Sequence, residues 1–224
     1  MSEKIVCSDC NETLTAPPPA DHPVCPKCGS KKLLIHYTLR AEPGSFRVTL
    51  RRDDVLLQTV IERGEKRVDG DLIIAVLPAW RKILSILKDD PAAAFKIDAR
   101  KWEEIIAASY EEAGFDEVIL TPRSGDLGRD IIAVKYGFWT VRIIDQVKAY
   151  GPDHRVPAND VRALLGVLQA DRAATKGLVT TTSEFAPMIA TDPLIAPFIP
   201  HRLQLVNGKE LLSRLALIAD GQYF

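Results

Sequence analysis

The chain reads GRDIIAVKYGFWTVRIIDQVK over residues 128–148, and this segment predicts two neighbouring strands of one β-sheet. Apolar residues dominate positions 130–134 and recur through 139–148, in runs of the length that strands have. Gly137 marks a short connection between the two strands. The connection predicts an antiparallel pair, because parallel strands need a much longer crossover.

Polar side chains are predicted to meet at one end of this pair. Gln146 and Lys148 share one face of the second strand, whereas Asp145 lies on the other face, since side chains alternate along a strand. Asp130 opens the first strand, so we expect it near Gln146 and Lys148. A carboxylate and an amide oxygen are hard ligands for Mg²⁺. A lysine beside them can orient or deprotonate an attacking water and offset the charge on a phosphate.

The flanking sequence alternates between helical and strand patterns. The predicted elements are a helix from Asp98 to Gly114, a strand over 118–121, a helix over 159–170, a strand over 176–182 with a short helix capped by Ser183, a strand over 203–206, and a helix over 208–219 that Asn207 caps. Together with the strand pair, this order predicts an α/β domain over residues 97–224, built around one mixed sheet flanked by helices.

Residues 35–96 are predicted to form a small α+β connector. Strands are expected near 46–50, 55–62 and 72–76, followed by a helix that Pro78 begins. Residues 29–96 carry 13 basic and 9 acidic side chains, so the positive charge of the chain is concentrated there. The basic side chains Arg47, Arg51 and Arg52 either contact phosphates or form a solvated strand face.

All four cysteines lie in the first 28 residues, as Cys7-x-x-Cys10 and Cys25-x-x-Cys28. Two such pairs close a tetrahedral site for zinc, which favours a zinc ribbon over residues 1–34. A segment with so little apolar core needs the metal to fold. The zinc is expected to be structural, because the four thiolates leave no open position for catalysis. The alternative is two redox-active dithiols.

Composition excludes several classes of protein. The 224 residues are 46% hydrophobic and 26% charged, which is typical of a globular protein and not of a disordered one. The longest apolar stretch, 72–80, is too short to span a bilayer, and the N-terminus has no apolar secretory segment. We therefore expect a cytoplasmic protein that does not bind a membrane. The net charge of −1 argues against a polybasic surface over the whole chain.

Six motifs follow one another between residues 98 and 219. They are Trp102-Glu103-x-Ile105-Ile106-Ala107, Gly114-Phe115, Thr121-x-x-Ser124-Gly125-Asp126-x-Gly128-x-Asp130, Gln146-x-Lys148, Val161-Arg162-x-Leu164-x-Gly166 and Lys176-Gly177-x-Val179-x-Thr181-Thr182-Ser183. In this order they resemble the Mrr-like restriction endonuclease family, a branch of the PD-(D/E)XK nuclease superfamily. The resemblance implies a restriction-endonuclease-like fold.

The resemblance also implies an active centre. In that family a helix glutamate, an aspartate after a glycine turn and a Gln/Glu-x-Lys strand act together, which assigns catalytic roles to Glu103, Asp130, Gln146 and Lys148. Asp130 and Gln146 are expected to hold Mg²⁺. Gln146 departs from the acidic residue of the wider superfamily, a variant that the Mrr-like branch uses, and it removes one metal-binding charge. Glu104 is the alternative to Glu103.

The function implied by the resemblance is a Mg²⁺-dependent DNA endonuclease that hydrolyses backbone phosphodiesters, in restriction or defence against foreign or modified DNA. The expected partner is double-stranded DNA, and a homodimer is the expected form for cutting both strands. Two alternatives remain. One is a catalytically inactive nucleic-acid-binding or adaptor protein with a nuclease-like fold, and the other is a structural zinc-ribbon interaction protein.

Overall fold

The computed structural model describes residues 2–7, 9–10, 12–14, 25–29, 33–41, 44–122 and 128–222, with the backbone alone for 2–5, 33–41 and 44–53. The helices are α1 (Arg52–Leu56), α2 (Leu77–Asp89), α3 (Ala99–Glu112), α4 (Ala158–Ala170) and α5 (Gly208–Ala219), with short 3₁₀ helices at Pro91–Lys96, Ile189–Thr191 and Ala196–Phe198. No helix in these ranges is long and apolar enough to cross a bilayer.

Eleven strands in the described ranges form two sheets. The strands are β1 (Ser2–Cys7), β2 (Thr13–Leu14), β3 (Leu33–Ala41), β4 (Gly44–Arg51), β5 (Ile61–Lys66), β6 (Asp71–Ala75), β7 (Glu117–Leu120), β8 (Ile131–Lys135), β9 (Val141–Lys148), β10 (Lys176–Thr181) and β11 (Leu203–Val206). The small sheet has the order β2-β1-β3-β4 and is antiparallel.

The large sheet has the order β11-β10-β9-β8-β7-β6-β5. Neighbouring strands from β5 to β9 are antiparallel, whereas β10 is parallel to both β9 and β11. The sheet is therefore mixed, and helices flank it, which confirms the predicted α/β fold class.

Helices cover both faces of the large sheet. On one face, α2, α3 and α5 enclose the main core, in which Trp80 and Trp102 are fully buried. Both indole N–H groups donate to backbone carbonyls, of Ile105 and Ala94 respectively, so the two largest core side chains leave no buried donor unpaired. On the other face, α4 packs on β9 and β10 and encloses a second core around Ile144. We call this second face the α4 face.

Two of the predicted helix starts are confirmed by their hydrogen bonds. The Asp98 carboxylate accepts a hydrogen bond from the Lys101 N–H at 3.0 Å, and Asn207 Oδ1 accepts one from the Glu210 N–H at 2.9 Å. Each pair satisfies a backbone donor that the first turn of a helix otherwise leaves unpaired.

The structure corrects two local predictions. The strand expected over 55–62 is instead helix α1 followed by a strand that begins at Ile61. The helix expected after Ser183 does not form at that position, and the next helical turn begins at Ile189. The hydroxyl of Ser183 donates to the His154 carbonyl, so it binds a loop and caps no helix.

The large sheet also extends across residue 96. Strand β6 pairs with β7, with Asp71 opposite Leu120, so two strands from the predicted connector belong to the same sheet as the C-terminal strands. The turn between β5 and β6 is thereby brought to the end of the sheet at which β8 begins.

Candidate active site

Asp130 and Gln146 lie side by side at one end of the sheet. Ile131 of β8 is paired with Asp145 of β9, so the register, continued by one residue, sets Asp130 opposite Gln146. The Asp130 carboxylate folds back onto β9, where Oδ2 accepts a hydrogen bond from the Val147 N–H at 2.7 Å. The structure therefore brings together the two residues that the sequence assigns to magnesium.

Gln146 presents a buried oxygen at this point. Its side chain is on the α4 face with only 8% of the residue exposed, and Oε1 accepts no hydrogen bond from the described residues. A buried acceptor without a partner costs about 1–3 kcal/mol, which a bound cation would remove. A carboxylate and an unpaired amide oxygen are the donors that Mg²⁺ takes, so the residues present fit a magnesium site.

Gly128 forms the turn beside this amide. Its φ is +77°, a left-handed conformation that glycine adopts without strain. A Cβ built on Gly128 lies 3.7 Å from Gln146 Nε2 and 3.4 Å from a methyl group of Val167 on α4. These are ordinary van der Waals distances, so the turn favours glycine for its backbone conformation and not for space.

Lys148 is the next residue on the same face of β9 and the last residue of the strand. Its side chain is 23% exposed, and Nζ lies 3.9 Å from Oδ2 of Asp160 in the first turn of α4. Asp130, Gln146 and Lys148 thus lie at the same end of two adjacent strands. The sequence did not indicate Asp160, because its place beside Lys148 depends on how α4 packs across the sheet.

The two adjacent glutamates of α3 differ in where they are bound. Glu103 Oε2 lies 2.6 Å from a guanidinium nitrogen of Arg100, which also donates to the Thr121 carbonyl at 3.0 Å. Thr121 in turn donates its N–H to the Asp130 carbonyl at 3.0 Å. Glu103 is therefore connected to the strand ends that carry Asp130.

Glu104 is connected elsewhere. It pairs with Lys101 at 3.2 Å, and Lys101 donates to the carbonyl of Gln58 in the segment between α1 and β5. Of the two candidate acids, Glu103 is the one that is linked to the Asp130 strand.

A network of four charges supports the start of β8. Arg129, which precedes Asp130, lies 3.2 Å from Asp69 and 4.0 Å from Asp171. Arg142 pairs with the same two carboxylates at 3.1 and 3.2 Å. The network joins the β5–β6 turn to the end of α4. Sequence reasoning missed it because Asp69 and Arg142 are 73 residues apart.

Asp145 lies on the opposite face, as predicted, and is almost completely buried. Its Oδ2 accepts hydrogen bonds from the hydroxyls of Tyr110 at 2.9 Å and Thr180 at 3.1 Å. Burial raises the pKa of Asp145 to about 7, although these two hydrogen bonds act in the other direction. Asp145 therefore joins α3, β9 and β10 behind the site.

The hydroxyl run after β10 is occupied by backbone contacts. Thr181, Thr182 and Ser183 donate to the carbonyls of Lys148, Tyr150 and His154, at 2.7, 2.7 and 2.6 Å. These bonds tie the segment after β9 to the end of β10. Asp126 of the glycine turn lies outside the described residues, as do the side chains of Arg47, Arg51 and Arg52.

The four cysteines cluster as predicted. Sγ of Cys7 lies 3.5 Å from that of Cys28, Sγ of Cys10 lies 3.6 Å from that of Cys25, and all four sulfurs lie within 4.8 Å of one another. Four sulfurs around a tetrahedral zinc ion with bonds of ~2.3 Å are ~3.8 Å apart, so the cluster fits zinc. Gly29 follows the second pair with a φ of +72° and forms the tight turn that such a knuckle needs.

Backbone hydrogen bonds favour a thiolate at Cys7. Burial raises the pKa of the Cys7 thiol, but N–H groups of Cys10 and Asp9 bind the sulfur and bring the pKa down to about 6. A thiolate is the form of cysteine that binds a metal ion.

Comparison with known proteins identifies the family. The model of the Mrr_cat family, described as restriction endonuclease, matches residues 95–215, which is more than half of the chain. The chain belongs to the Mrr_cat restriction endonuclease family. The resemblance in its sequence motifs is thereby confirmed. In this Mrr_cat chain the family match spans Glu103, Asp130, Gln146 and Lys148.

Two solved structures resemble the Mrr_cat chain in part. MspJI restriction endonuclease, in complex with a 27-mer oligonucleotide, has a TM-score of 0.40 and 17% identity, over 65% of this chain and 32% of that chain. The DNA modification-dependent restriction endonuclease AspBHI has a TM-score of 0.39 and 14% identity, over 84% of this chain and 60% of that chain. The chain thus spans less than two thirds of either protein. A search among curated proteins finds no match.

Proposed function

We propose that this protein is a Mg²⁺-dependent endonuclease that hydrolyses backbone phosphodiesters of double-stranded DNA, in restriction of foreign or modified DNA. The observation that carries the proposal is the buried Oε1 of Gln146, which has no hydrogen-bond partner among the described residues. Gln146 lies opposite Asp130 in the register of the two strands, and Lys148 is the next residue on the same face of β9. The Asp130 and Gln146 oxygens are ligands for a hard metal ion, and the Lys148 ammonium is a positive charge for a phosphate, at one end of two paired strands.

Each side chain has a defined role in the proposed reaction. Asp130 and Gln146 hold Mg²⁺, which when bound polarises the phosphate and lowers the pKa of a bound water. Lys148 orients the attacking water and stabilises negative charge as the water oxygen bonds to phosphorus. The bridging P–O bond then breaks, the attacking water gives one proton to solvent, and the leaving oxygen takes a proton from solvent. Glu103 assists from α3, where Arg100 fixes its carboxylate.

The N-terminal residues have a supporting role in this proposal. Cys7, Cys10, Cys25 and Cys28 bind a structural zinc ion, and the zinc ribbon with the basic segment 29–96 positions the DNA. Positively charged segments act mainly on phosphates, so this contribution carries little sequence information and weakens with added salt.

Cleavage of supercoiled plasmid tests the proposal. The wild type, incubated with Mg²⁺, is expected to nick or linearise the plasmid, and EDTA or Lys148→Ala is expected to abolish cutting. Methylated and unmethylated plasmids, compared in parallel, reveal whether modification is read. No cutting of either plasmid by folded, zinc-loaded protein contradicts the proposal and favours a nucleic-acid-binding role. Activity that survives in Lys148→Ala contradicts the assignment of the site.

The two glutamates of α3 provide a matched pair of variants. Glu103→Gln is expected to slow cleavage strongly, because it removes the carboxylate that Arg100 links to the Asp130 strand. Glu104→Gln removes an equal charge one residue away and is expected to cleave like the wild type. The reverse result assigns the helix acid to Glu104.

We also propose that two copies of the chain cut the two strands of the duplex. One active site holds one phosphodiester, so cutting both strands in one encounter needs two sites. The ratio of linear to nicked plasmid is then expected to rise steeply with protein concentration. A ratio that does not depend on protein concentration contradicts the homodimer.

A further inference from the structure

We propose that Asp160 is a positioning residue for Lys148, and that Tyr150 in turn positions Asp160. This inference rests on the proposed function, in which the Lys148 ammonium acts beside Asp130 and Gln146. It concerns a different element, since Asp160 belongs to the first turn of α4 and Tyr150 to the segment that leaves β9.

Lys148 needs a partner to be useful in catalysis. It ends β9, and its four-carbon side chain loses up to about 2 kcal/mol of conformational entropy when it is held in one place. Asp160 Oδ2 lies 3.9 Å from Lys148 Nζ, and both side chains are about three-quarters buried. A carboxylate in this position restricts the ammonium to the end of the strand at which Asp130 and Gln146 meet.

Asp160 is itself held from two sides. The Tyr150 hydroxyl donates to the same Oδ2 at 3.2 Å, and the carboxylate lies in the first turn of α4, where the helix dipole favours a negative charge. Pro157 precedes this helix and provides no side-chain cap, and Asp160 is the acidic residue of the first turn. The neighbouring Arg162 is directed away, to Asp192 and Asn159.

Tyr150 is fixed in turn by the segment around it. Its ring stacks on His154 with a centroid distance of 4.1 Å, and its carbonyl accepts the Thr182 hydroxyl at 2.7 Å. Burial and the adjacent Asp160 carboxylate raise the pKa of Tyr150, so the phenol keeps its proton and donates at neutral pH. Tyr150, Asp160 and Lys148 therefore form a relay of contacts from the end of β10 to the ammonium.

Kinetics of single variants test this relay. Asp160→Asn is expected to lower kcat about 10- to 100-fold, the usual effect of a misplaced catalytic group, with KM and DNA affinity unchanged. Asp160→Glu is expected to recover part of the loss, and Tyr150→Phe to lower kcat by less than Asp160→Asn does.

Asp116→Asn is the matched control. Asp116 also accepts a hydrogen bond, from the Tyr136 N–H, and pairs with a lysine, Lys135, at 3.6 Å, but at the other end of β8. The control is expected to retain the kcat of the wild type. An unchanged kcat in folded Asp160→Asn overturns the proposal, as does a loss confined to DNA affinity or to metal binding.

A second measurement does not depend on cleavage. Proton–nitrogen NMR of the lysine side chains detects ammonium groups that an ion pair protects from exchange with water. The Lys148 signal, assigned by its absence in Lys148→Ala, is expected in the wild type and in Asp116→Asn and lost in Asp160→Asn. If the Lys148 signal is present in the wild type and lost in Asp160→Asn, but the wild type cuts no DNA, the proposed function fails and the relay stands. If the wild type cuts DNA and the signal persists in Asp160→Asn, the relay fails alone.

Discussion

Gln146→Glu puts a second carboxylate opposite Asp130, and the structure allows the effect to be calculated. Cross-strand neighbours have Cβ atoms about 5 Å apart, and two unit charges at that distance repel by about 3 kcal/mol at an effective dielectric constant of about 20. For a chain of this size, about 3 kcal/mol corresponds to a decrease in Tm of about 6–12 °C. Because Gln146 is only 8% exposed, desolvation of the new charge adds to this decrease.

Magnesium is expected to reverse the effect. A divalent cation between the two carboxylates turns repulsion into attraction, so Mg²⁺ should raise the Tm of Gln146→Glu by more than it raises that of the wild type. Thermal unfolding of zinc-loaded protein, at a pH where both carboxylates are ionised, measures both quantities with and without Mg²⁺.

Gln204→Glu is the control for this experiment. Gln204 is a half-buried glutamine in β11, two strands away from β9. Its replacement is expected to lower Tm without any special response to Mg²⁺. If Gln146→Glu has the Tm of the wild type in the absence of metal, or if Mg²⁺ stabilises both glutamate variants equally, the pairing of Asp130 with residue 146 around a cation is refuted.

Three further predictions concern the surroundings of the site. Asp145→Asn should become more stable relative to the wild type as the pH rises from about 4 to about 7. Burial raises the folded-state pKa of Asp145 to about 7, so the unfolded wild-type chain loses that proton first and the folded wild type becomes less stable over this range. Urea unfolding measures this pH-dependent gain of the variant over the wild type, which should be absent below about pH 4. Gly128→Ala should lose about 1–2 kcal/mol in the same assay, because its φ is +77°; equal stability would show that the turn relaxes. Cys25→Ser should lose the bound zinc, measured by metal analysis, and a variant that keeps a full equivalent would contradict the four-cysteine site.

Much of the fold could be predicted because local signals and tertiary structure agree. The apolar run that predicts β8 is buried on both faces of the sheet, with Ile131 and Ala133 in the main core and Ile132 and Val134 in a smaller buried cluster. Asp98 and Asn207 cap helices through hydrogen bonds that span three residues, and such contacts are visible in the sequence.

Other elements could not be predicted because their local sequence does not favour them. Strand β5 reads IERGEK, and five of its six residues are exposed, since it lies at the edge of the sheet and its structure comes from pairing with β6. Residues 55 and 56 are apolar and their pattern favours a strand, but they are buried as part of α1. A short apolar run is compatible with either structure.

Part of the candidate site could be predicted from the sequence and part of it could not. Asp130, Gln146 and Lys148 are carried by two strands joined by one turn, so alternation and proximity along the chain are enough to bring them together. Asp160 reaches Lys148 only because α4 packs back over β9, and Asp69 reaches Arg142 only because the β5–β6 turn joins the same sheet. Contacts that depend on the packing of distant elements leave no periodic signal in the sequence.

Binding of Mn²⁺, followed by electron paramagnetic resonance, measures whether a cation binds between Asp130 and Gln146. Mn²⁺ accepts the oxygen ligands that Mg²⁺ prefers, and zinc-loaded protein keeps the cysteines occupied. We expect the wild type and Asp116→Asn to bind Mn²⁺, and Asp130→Asn and Gln146→Ala to bind it much more weakly. Equal Mn²⁺ binding by Asp130→Asn and the wild type, or no binding by folded wild type, would contradict a cation site at the end of β8 and β9.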